Sequence, residues 1–120
     1  MREITVAAVQ MSCGRDVGEN IEKADALVRR AAGEGAQVIL LPELFERQYF
    51  CQEKRYEYYG FAKTVEENDA VRHFQKRAGE LGVVIPVSFY ERDGLRLFNS
   101  VAVLDADGTN LGVYRKTHIP

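Results

Sequence analysis

The chain has 120 residues, a net charge of −2 and 46% hydrophobic residues, values typical of one soluble globular domain. No basic run stands out, so the composition does not indicate a nucleic-acid-binding protein. The longest apolar runs are too short to span a membrane, and the N-terminal residues are typical of a strand rather than a secretory signal. Two cysteines, Cys13 and Cys51, are too few for a disulfide framework, which favours a cytoplasmic protein.

The first part of the chain predicts a strand–helix–strand unit. Residues 3–11 are rich in β-branched and small apolar residues and predict a buried strand. Apolar residues at helical spacing predict a helix from residue 17 to about residue 34, with Asp16 capping its start and Gly35 ending it. The continuous apolar run 37–42 predicts a second strand that is buried on both faces of a sheet.

The last part of the chain predicts a helix followed by an antiparallel meander. Residues 68–81 have an apolar helical face and are followed by Gly82, which is typical of a helix end. Two dipeptides, Asp93-Gly94 and Asp107-Gly108, separate apolar runs and are strong hairpin signals. Together the segments predict a mixed α/β sheet with helices over at least one face. A flavodoxin-like domain would instead alternate strand and helix to its end.

An aromatic segment without clear periodicity joins the two parts. It contains four of the six tyrosines (Tyr49, Tyr56, Tyr58, Tyr59) and three phenylalanines (Phe45, Phe50, Phe61). Aromatic side chains in a long loop usually line a pocket or an interface. We therefore expect Tyr49 and Phe50 to line a pocket or an interface, and Cys51 either to line a pocket or simply to be buried.

Two charged residues stand where predicted strands end. Glu43 follows Pro42 at the end of the second strand, the place where open α/β sheets bind ligands. Partial burial there would raise its pKa and suit a general base. Lys116 ends the last strand and could donate to a developing oxyanion. Taken alone, each residue is explained more simply as a solvated surface charge.

The other chemically reactive residues have less supporting context. A nucleophilic cysteine needs a base and an oxyanion donor nearby, and neither Cys13 nor Cys51 has that sequence context. His73 fits the surface of the second helix, whereas His118, two residues after Lys116, fits either an orienting role at a site or a structural role. The two histidines are far apart in sequence, so no metal site is predicted.

Four segments in order, VAAVQM, VILLPELF, FNSVAVLDADG and GVYRKTHIP, resemble the N-terminal part of the nitrilase (carbon–nitrogen hydrolase) superfamily. The segments LPELFERQYFCQ and YRKTHIP are most similar to the members that hydrolyse N-carbamoylputrescine. The resemblance implies the N-terminal part of an α-β-β-α sandwich with a mixed sheet and two main helices. Residues 1–120 would then be one segment of a single hydrolase domain.

The resemblance also implies a Glu-Lys-Cys triad. Glu43 would be the general base and Lys116 the oxyanion stabiliser, and the nucleophilic cysteine would follow Pro120. Pocket candidates are Tyr49, Phe50, Cys51 and His118. No metal or organic cofactor is implied. The implied substrate is a small linear amide or ureido compound, which for N-carbamoylputrescine belongs to polyamine biosynthesis, and β-ureidopropionase-like and ω-amidase-like specificities remain open.

The expected assembly is a homodimer or larger homo-oligomer, with no nucleic-acid or membrane partner. Without the nucleophile the 120-residue chain is expected to be inactive on its own, because residues that act as a unit fail together. The alternative is a non-catalytic, truncated or split module that assembles with a partner.

Overall fold

The structure is a computed structural model that describes residues 3–46 and 61–116. The described residues form five strands and two helices. In chain order these are β1 (Val6–Ala8), α1 (Val17–Gly33), β2 (Val38–Leu40), α2 (Asp69–Leu81), β3 (Ile85–Asp93), β4 (Arg96–Leu104) and β5 (Asn110–Arg115).

Local sequence signals bound both helices close to where they were predicted. The Asp16 carboxylate caps α1 by accepting a hydrogen bond from the Glu19 amide at 3.0 Å. Gly35, two residues after α1, has φ +98°, a conformation that favours glycine. The Asn68 side chain caps α2 in the same way as Asp16 caps α1, and Gly82 ends α2 in the left-handed conformation.

The strands form a mixed sheet, as the sequence predicts. β1 pairs with β2 in parallel, and β3, β4 and β5 form an antiparallel meander. A parallel bridge between Val38 and Val84 joins the two parts. The Ile39 amide donates to the Val84 carbonyl, and the Val84 amide donates to the Gln37 carbonyl, both at 2.9 Å. Through this bridge the two-stranded and three-stranded sheets lie side by side, in the order β1-β2-β3-β4-β5.

Both helices pack on one face of this sheet and form the hydrophobic core with it. The sheet contributes a set of fully buried side chains: Ile39, Ile85, Val87, Phe89, Ala102 and Leu104. Val28 of α1 and Phe74 of α2 are also fully buried. The Phe74 ring meets the Phe45 ring edge to face, with 5.8 Å between centroids. This packing explains the apolar helical periodicity of the sequence.

The other face of the sheet corrects one prediction. Residues 37–42 were expected to be buried on both faces, but Leu40 is 52% exposed. Val6 of β1 and Tyr114 of β5 are 70% and 66% exposed. Burial on both faces requires a layer on each side of the sheet, and the described residues cover only the helix side. β1 is also shorter than the predicted strand 3–11, because its partner β2 has three residues.

A close glycine contact fixes the β4–β5 turn against α2. A Cβ atom placed on Gly79 would lie 3.4 Å from the Cα of Gly108. Gly108 itself has φ +88°, which disfavours other residues in the turn. The helix and the turn therefore lie almost in van der Waals contact at these two glycines.

An ion-pair network joins α1 to α2 at the protein surface. The Asp25 carboxylate accepts hydrogen bonds from Arg29 at 2.8 Å and from Arg77 at 2.7 Å, and lies 2.9 Å from Nε2 of His73. Arg77 also pairs with Glu80. Burial raises the pKa of Asp25, but hydrogen bonds from His73, Arg29 and Arg77 outweigh it and lower that pKa to about 2.

His73 is therefore less exposed than its predicted surface position implies, since its side chain is 32% exposed and contacts Asp25.

Within the described ranges, neither helix has the length and apolar character needed to cross a membrane.

Candidate active site

Glu43 and Lys116 meet at one end of the sheet. β2 and β5 run in the same direction, because β2 is parallel to β3 and two antiparallel pairings separate β3 from β5. Residues that follow β2 and β5 therefore lie at the same end of the sheet. Nζ of Lys116 donates to Oε2 of Glu43 at 3.1 Å. The structure thus brings together the two residues that the strand-end argument selected.

The position of Glu43 depends on its neighbour Leu44. Leu44 has φ +49°, an uncommon conformation for a residue with a side chain. The Leu44 amide donates to Oγ of Ser88 at 2.9 Å, and its side chain is buried with Ala62 and Tyr90. Burial and this hydrogen bond offset the backbone strain. They also fix the direction in which the Glu43 side chain leaves the turn at residues 43–46.

The backbone of Lys116 is held by β4. Lys116 is the first residue after β5, and its amide donates to the Asn99 carbonyl at 2.8 Å. Side chains alternate between the faces of a strand, so Lys116 shares the face of Tyr114, away from the helices. Arg115 projects to the opposite face, where Val113 packs against the core.

Beneath Lys116, three charged and polar side chains from three strands contact one another. Glu91 of β3 is 5% exposed and accepts from Oγ of Ser100, on β4, at 2.7 Å. Arg115 of β5 donates to both Glu91 oxygens, at 3.0 and 3.1 Å, and to Asp93 at 2.7 Å. Hydrogen bonds to Glu91 and then Asp93 raise the pKa of Arg115 above its usual value. We call Glu91, Ser100 and Arg115 the three-strand cluster.

Sequence reasoning missed several polar residues at this end of the sheet. Ser88 and Asn99 are 7% and 3% exposed, and Nδ2 of Asn99 is buried with no hydrogen-bond partner in residues 3–46 and 61–116. Their sequence signal is a polar residue inside an apolar strand, in VSFY and FNSV. That signal marks a position as unusual, but only the strand register shows which of these residues adjoin Lys116.

The Glu43–Lys116 pair is open to solvent in the described residues. The side chains of Glu43 and Lys116 are 42% and 41% exposed, so the partial burial expected for Glu43 is slight. A carboxylate can accept a proton from a nucleophile, and an ammonium group can stabilise an oxyanion. The pair therefore has the chemistry of a base and of an electrostatic group, but it contains no nucleophile.

Cys13 is the one cysteine in the described ranges. It is partly buried, and burial raises the pKa of its thiol more than nearby Lys23 lowers it. This environment is the opposite of the one that activates a nucleophilic cysteine. The predicted pocket residues Tyr49, Phe50, Cys51 and His118 lie outside the described residues. Within the described ranges, no group of three His, Cys, Asp or Glu side chains could hold a metal ion.

Comparison with known proteins places this geometry in a family. The carbon-nitrogen hydrolase family model matches residues 5–120. The chain is 48% identical over 119 residues to an N-carbamoylputrescine amidase of Arabidopsis thaliana, covering 99% of this chain and 40% of the relative. It is 43% identical over 120 residues to a citrullinase of Francisella tularensis, covering 100% of this chain and 42% of that protein.

A solved structure agrees with the sequence match. The crystal structure of a carbon-nitrogen hydrolase from Helicobacter pylori G27 superimposes with a TM-score of 0.86 at 30% identity, over 98% of this chain and 40% of the other. The mixed α/β fold with two helices is thus confirmed as a nitrilase-superfamily fold. The chain spans about two fifths of the length of the relatives it matches. On these matches and the fold, the chain belongs to the carbon-nitrogen hydrolase family.

Proposed function

We propose that this chain is the N-terminal segment of a single amidase domain that hydrolyses a linear amide or ureido C–N bond, with N-carbamoylputrescine as substrate. The observation that carries the proposal is the 3.1 Å contact between Lys116 and Glu43 at the end of the sheet. This contact supports the proposal, because a carboxylate and an ammonium group lie together in a chain of this family. The substrate is chosen from the relatives, which include N-carbamoylputrescine amidases at 48 to 50% identity.

The proposed reaction needs a cysteine from chain beyond Pro120. Glu43 accepts the thiol proton as the sulfur attacks the carbamoyl carbon, and Lys116 stabilises the resulting oxyanion. Glu43 passes that proton to the terminal nitrogen, which leaves as ammonia, so sulfur keeps the carbamoyl group that carries the putrescine chain. Glu43 then takes a proton from a water molecule as the water oxygen attacks the carbamoyl carbon, the C–S bond breaks and the proton goes to sulfur. The released carbamate loses CO2 and gives putrescine.

This division of roles makes the 120-residue chain inactive by itself. The described residues supply Glu43 and Lys116 in contact, and catalytic groups that act as a unit lose nearly all activity when one is missing. We place the complete enzyme in the cytoplasm as a homo-oligomer that needs no cofactor. The alternative is a non-catalytic, truncated or split module that assembles with a partner.

The test joins this chain to the part of the Arabidopsis thaliana relative that follows its matched segment. Ammonia release is measured from N-carbamoylputrescine and from citrulline, since both carry a terminal ureido group. We expect hydrolysis by the chimera, a preference for N-carbamoylputrescine, and none by the chain alone. Glu43→Gln should lower kcat by roughly 10²- to 10⁴-fold.

Glu67→Gln is the matched control, because Glu67 is an exposed carboxylate that pairs with Arg92 rather than with Lys116. We expect full activity in this variant. A folded chimera that hydrolyses neither compound would contradict the proposed function. Hydrolysis by the 120-residue chain that depends on Cys51 would contradict the assignment of the nucleophile, and a preference for citrulline would contradict the choice of substrate.

A further inference from the structure

The geometry points to Arg115 as a positioning residue that holds Lys116 in reach of Glu43 through the three-strand cluster. This inference rests on the proposed function, which gives Lys116 its role at the oxyanion. Arg115 does not contact Glu43; its hydrogen bonds go to Glu91 and Asp93 on the other face of the sheet. It therefore acts on the site through the backbone that it shares with Lys116.

The cluster ties three strands together at one level of the sheet. Glu91, Ser100 and Arg115 come from β3, β4 and β5. One Glu91 oxygen, Oε1, accepts from both Ser100 at 2.7 Å and Arg115 at 3.0 Å, while Oε2 accepts from Arg115 at 3.1 Å. A bidentate arginine–carboxylate pair fixes relative orientation as well as distance. The last residue of β5 is thus fixed against β3 across the intervening strand.

Burial makes this arrangement hard to rearrange. Glu91 is 5% exposed, and a buried carboxylate is costly unless it is paired and hydrogen-bonded. The Arg115 guanidinium also lies over the Phe98 ring, 4.1 Å from its centroid. Any movement of the β5 terminus would leave Glu91 without its counter-charge, so the end of the strand is held in one place.

The register of β5 explains why the fixed position of Arg115 matters for Lys116. A one-residue slip of a strand moves every side chain to the opposite face. Here the Arg115 contacts lie on the helix side, and the Lys116 amide donates to the Asn99 carbonyl at 2.8 Å. With both constraints in place, the Lys116 side chain leaves the sheet on the face where Glu43 accepts its hydrogen bond at 3.1 Å. The three-strand cluster therefore fixes the backbone position and the sheet face from which the Lys116 side chain extends.

A second arginine on the same sheet provides a matched control. Arg92 is on β3 and pairs with Glu67 at 3.9 Å, and both side chains are about half exposed or more. It carries the same charge as Arg115 but holds no buried carboxylate. A general loss of surface charge would affect both variants equally, whereas loss of positioning would affect only the Arg115 variant.

The first experiment measures backbone amide hydrogen exchange by NMR in the 120-residue chain. In Arg115→Gln we expect the Lys116 amide to exchange roughly tenfold faster or more, with the Phe74 amide of α2 unchanged. Arg92→Gln should leave both amides unchanged. Unchanged protection of Lys116 in a folded Arg115→Gln chain would overturn the inference. If that variant unfolds, Ser100→Ala removes one hydrogen bond only and should still accelerate Lys116 exchange; no acceleration would likewise overturn it.

The second experiment uses the chimera and separates positioning from folding. We expect Arg115→Gln to lower kcat per folded molecule by roughly 10²-fold with little change in KM, because displacing a catalytic group by about 1 Å costs that much. Arg115→Lys should recover part of the loss, and added guanidinium ion should restore part of the activity of Arg115→Ala. An equal loss of kcat in Arg115→Gln and Arg92→Gln, or an unchanged kcat in Arg115→Gln, would contradict the inference.

The two experiments distinguish failure of the inference from failure of the proposed function. An inactive but folded wild-type chimera contradicts the proposed function, while the exchange of the Lys116 amide still decides whether the cluster positions that residue. An active chimera whose kcat and Lys116 exchange are indifferent to Arg115→Gln contradicts the positioning role alone.

Discussion

Two ionic contacts of this protein use the same chemistry in opposite ways. Asp25 sits between two helices with its side chain 14% exposed, and has three basic neighbours, Arg29, His73 and Arg77. Glu43 is 42% exposed, and its contact with Lys116 is a single hydrogen bond at 3.1 Å. The Asp25 contacts are fixed by burial and by three partners, whereas Glu43 and Lys116 are exposed and each can bind another partner.

The difference follows from burial and from the number of partners. Ion pairs that are exposed contribute little stability, because water competes for both groups. Partly buried carboxylates with several donors contribute more, and the pKa of about 2 for Asp25 reports that contribution. In the proposed mechanism the Glu43–Lys116 pair releases its groups to a nucleophile and an oxyanion in each cycle, and a weak contact suits that use. The following experiments separate the two cases.

The largest expected effect is on activity. In the chimera, Lys116→Met should lower kcat by roughly 10²- to 10³-fold, the loss seen when one oxyanion donor is removed. The free energy of unfolding should change by less than about 1 kcal/mol, because the pair is exposed. Enzyme assays and urea unfolding measure the two quantities. Lys63→Met is the control, since Lys63 has similar exposure and pairs with Asp69 at 3.4 Å; equal kcat in both variants would remove Lys116 from the reaction.

The next effect is on stability. Asp25→Asn should reduce the free energy of unfolding of the 120-residue chain by about 2 kcal/mol, the value that corresponds to lowering a pKa from 3.8 to about 2. The chimera with this change should keep its kcat, since Asp25 lies between the helices. Glu34→Gln, which alters an exposed pair with Arg30, should cost much less. If Asp25→Asn lost no more unfolding free energy than Glu34→Gln, the contrast between the Asp25 network and an exposed pair would be contradicted.

The same carboxylate predicts a pH dependence. Its pKa in the folded chain is about 2, below the ordinary value of 3.8, so the unfolded chain takes up the proton first as the pH falls. The stabilisation is therefore complete above about pH 4 and is lost as the pH drops towards 2. Urea unfolding at several pH values should show wild type and Asp25→Asn differing by about 2 kcal/mol at pH 6 and converging near pH 2. A constant difference would contradict the assignment.

The smallest effect compares two adjacent arginines on α1. Arg29 donates to Asp25 at 2.8 Å, whereas Arg30 contacts Glu34 at 3.5 Å with both side chains more than two thirds exposed. Arg29→Ala should cost roughly 0.5 kcal/mol, and Arg30→Ala should have no measurable cost. Thermal unfolding of the two variants side by side measures the difference. Equal losses of unfolding free energy in the two variants would show that the Arg29–Asp25 contact stabilises the chain no more than an ordinary surface pair does.

Local sequence signals predicted the elements well, because their causes are local. Asp16 marks the start of α1 and Gly82 the end of α2, through hydrogen bonds and backbone angles within a few residues. Gly94 and Gly108 both have positive φ in the turns where Asp-Gly dipeptides predicted hairpins. Exposure of Leu40 was not predictable in this way, because it depends on which layers cover the sheet.

The site was predictable only in part for the same reason. Glu43 and Lys116 each follow a strand, and the strand-end rule together with the resemblance selected them. Glu91 and Arg115 were missed, because a glutamate and an arginine far apart in sequence show no relation until the β3–β4–β5 register is known. Residues 49–51 and 118 fall outside the described ranges, so their assignment to a pocket stays a prediction.

The contact between Gly79 and Gly108 has a consequence for how this sequence can vary. A helix position and a turn position approach so closely that a Cβ on Gly79 would meet the Gly108 backbone at 3.4 Å. A Cβ at Gly79 would still be in ordinary van der Waals contact, whereas any side chain at Gly108 would be strained by its φ of +88°. Related chains that keep this turn can therefore carry alanine at the helix position but are held to glycine at the turn position.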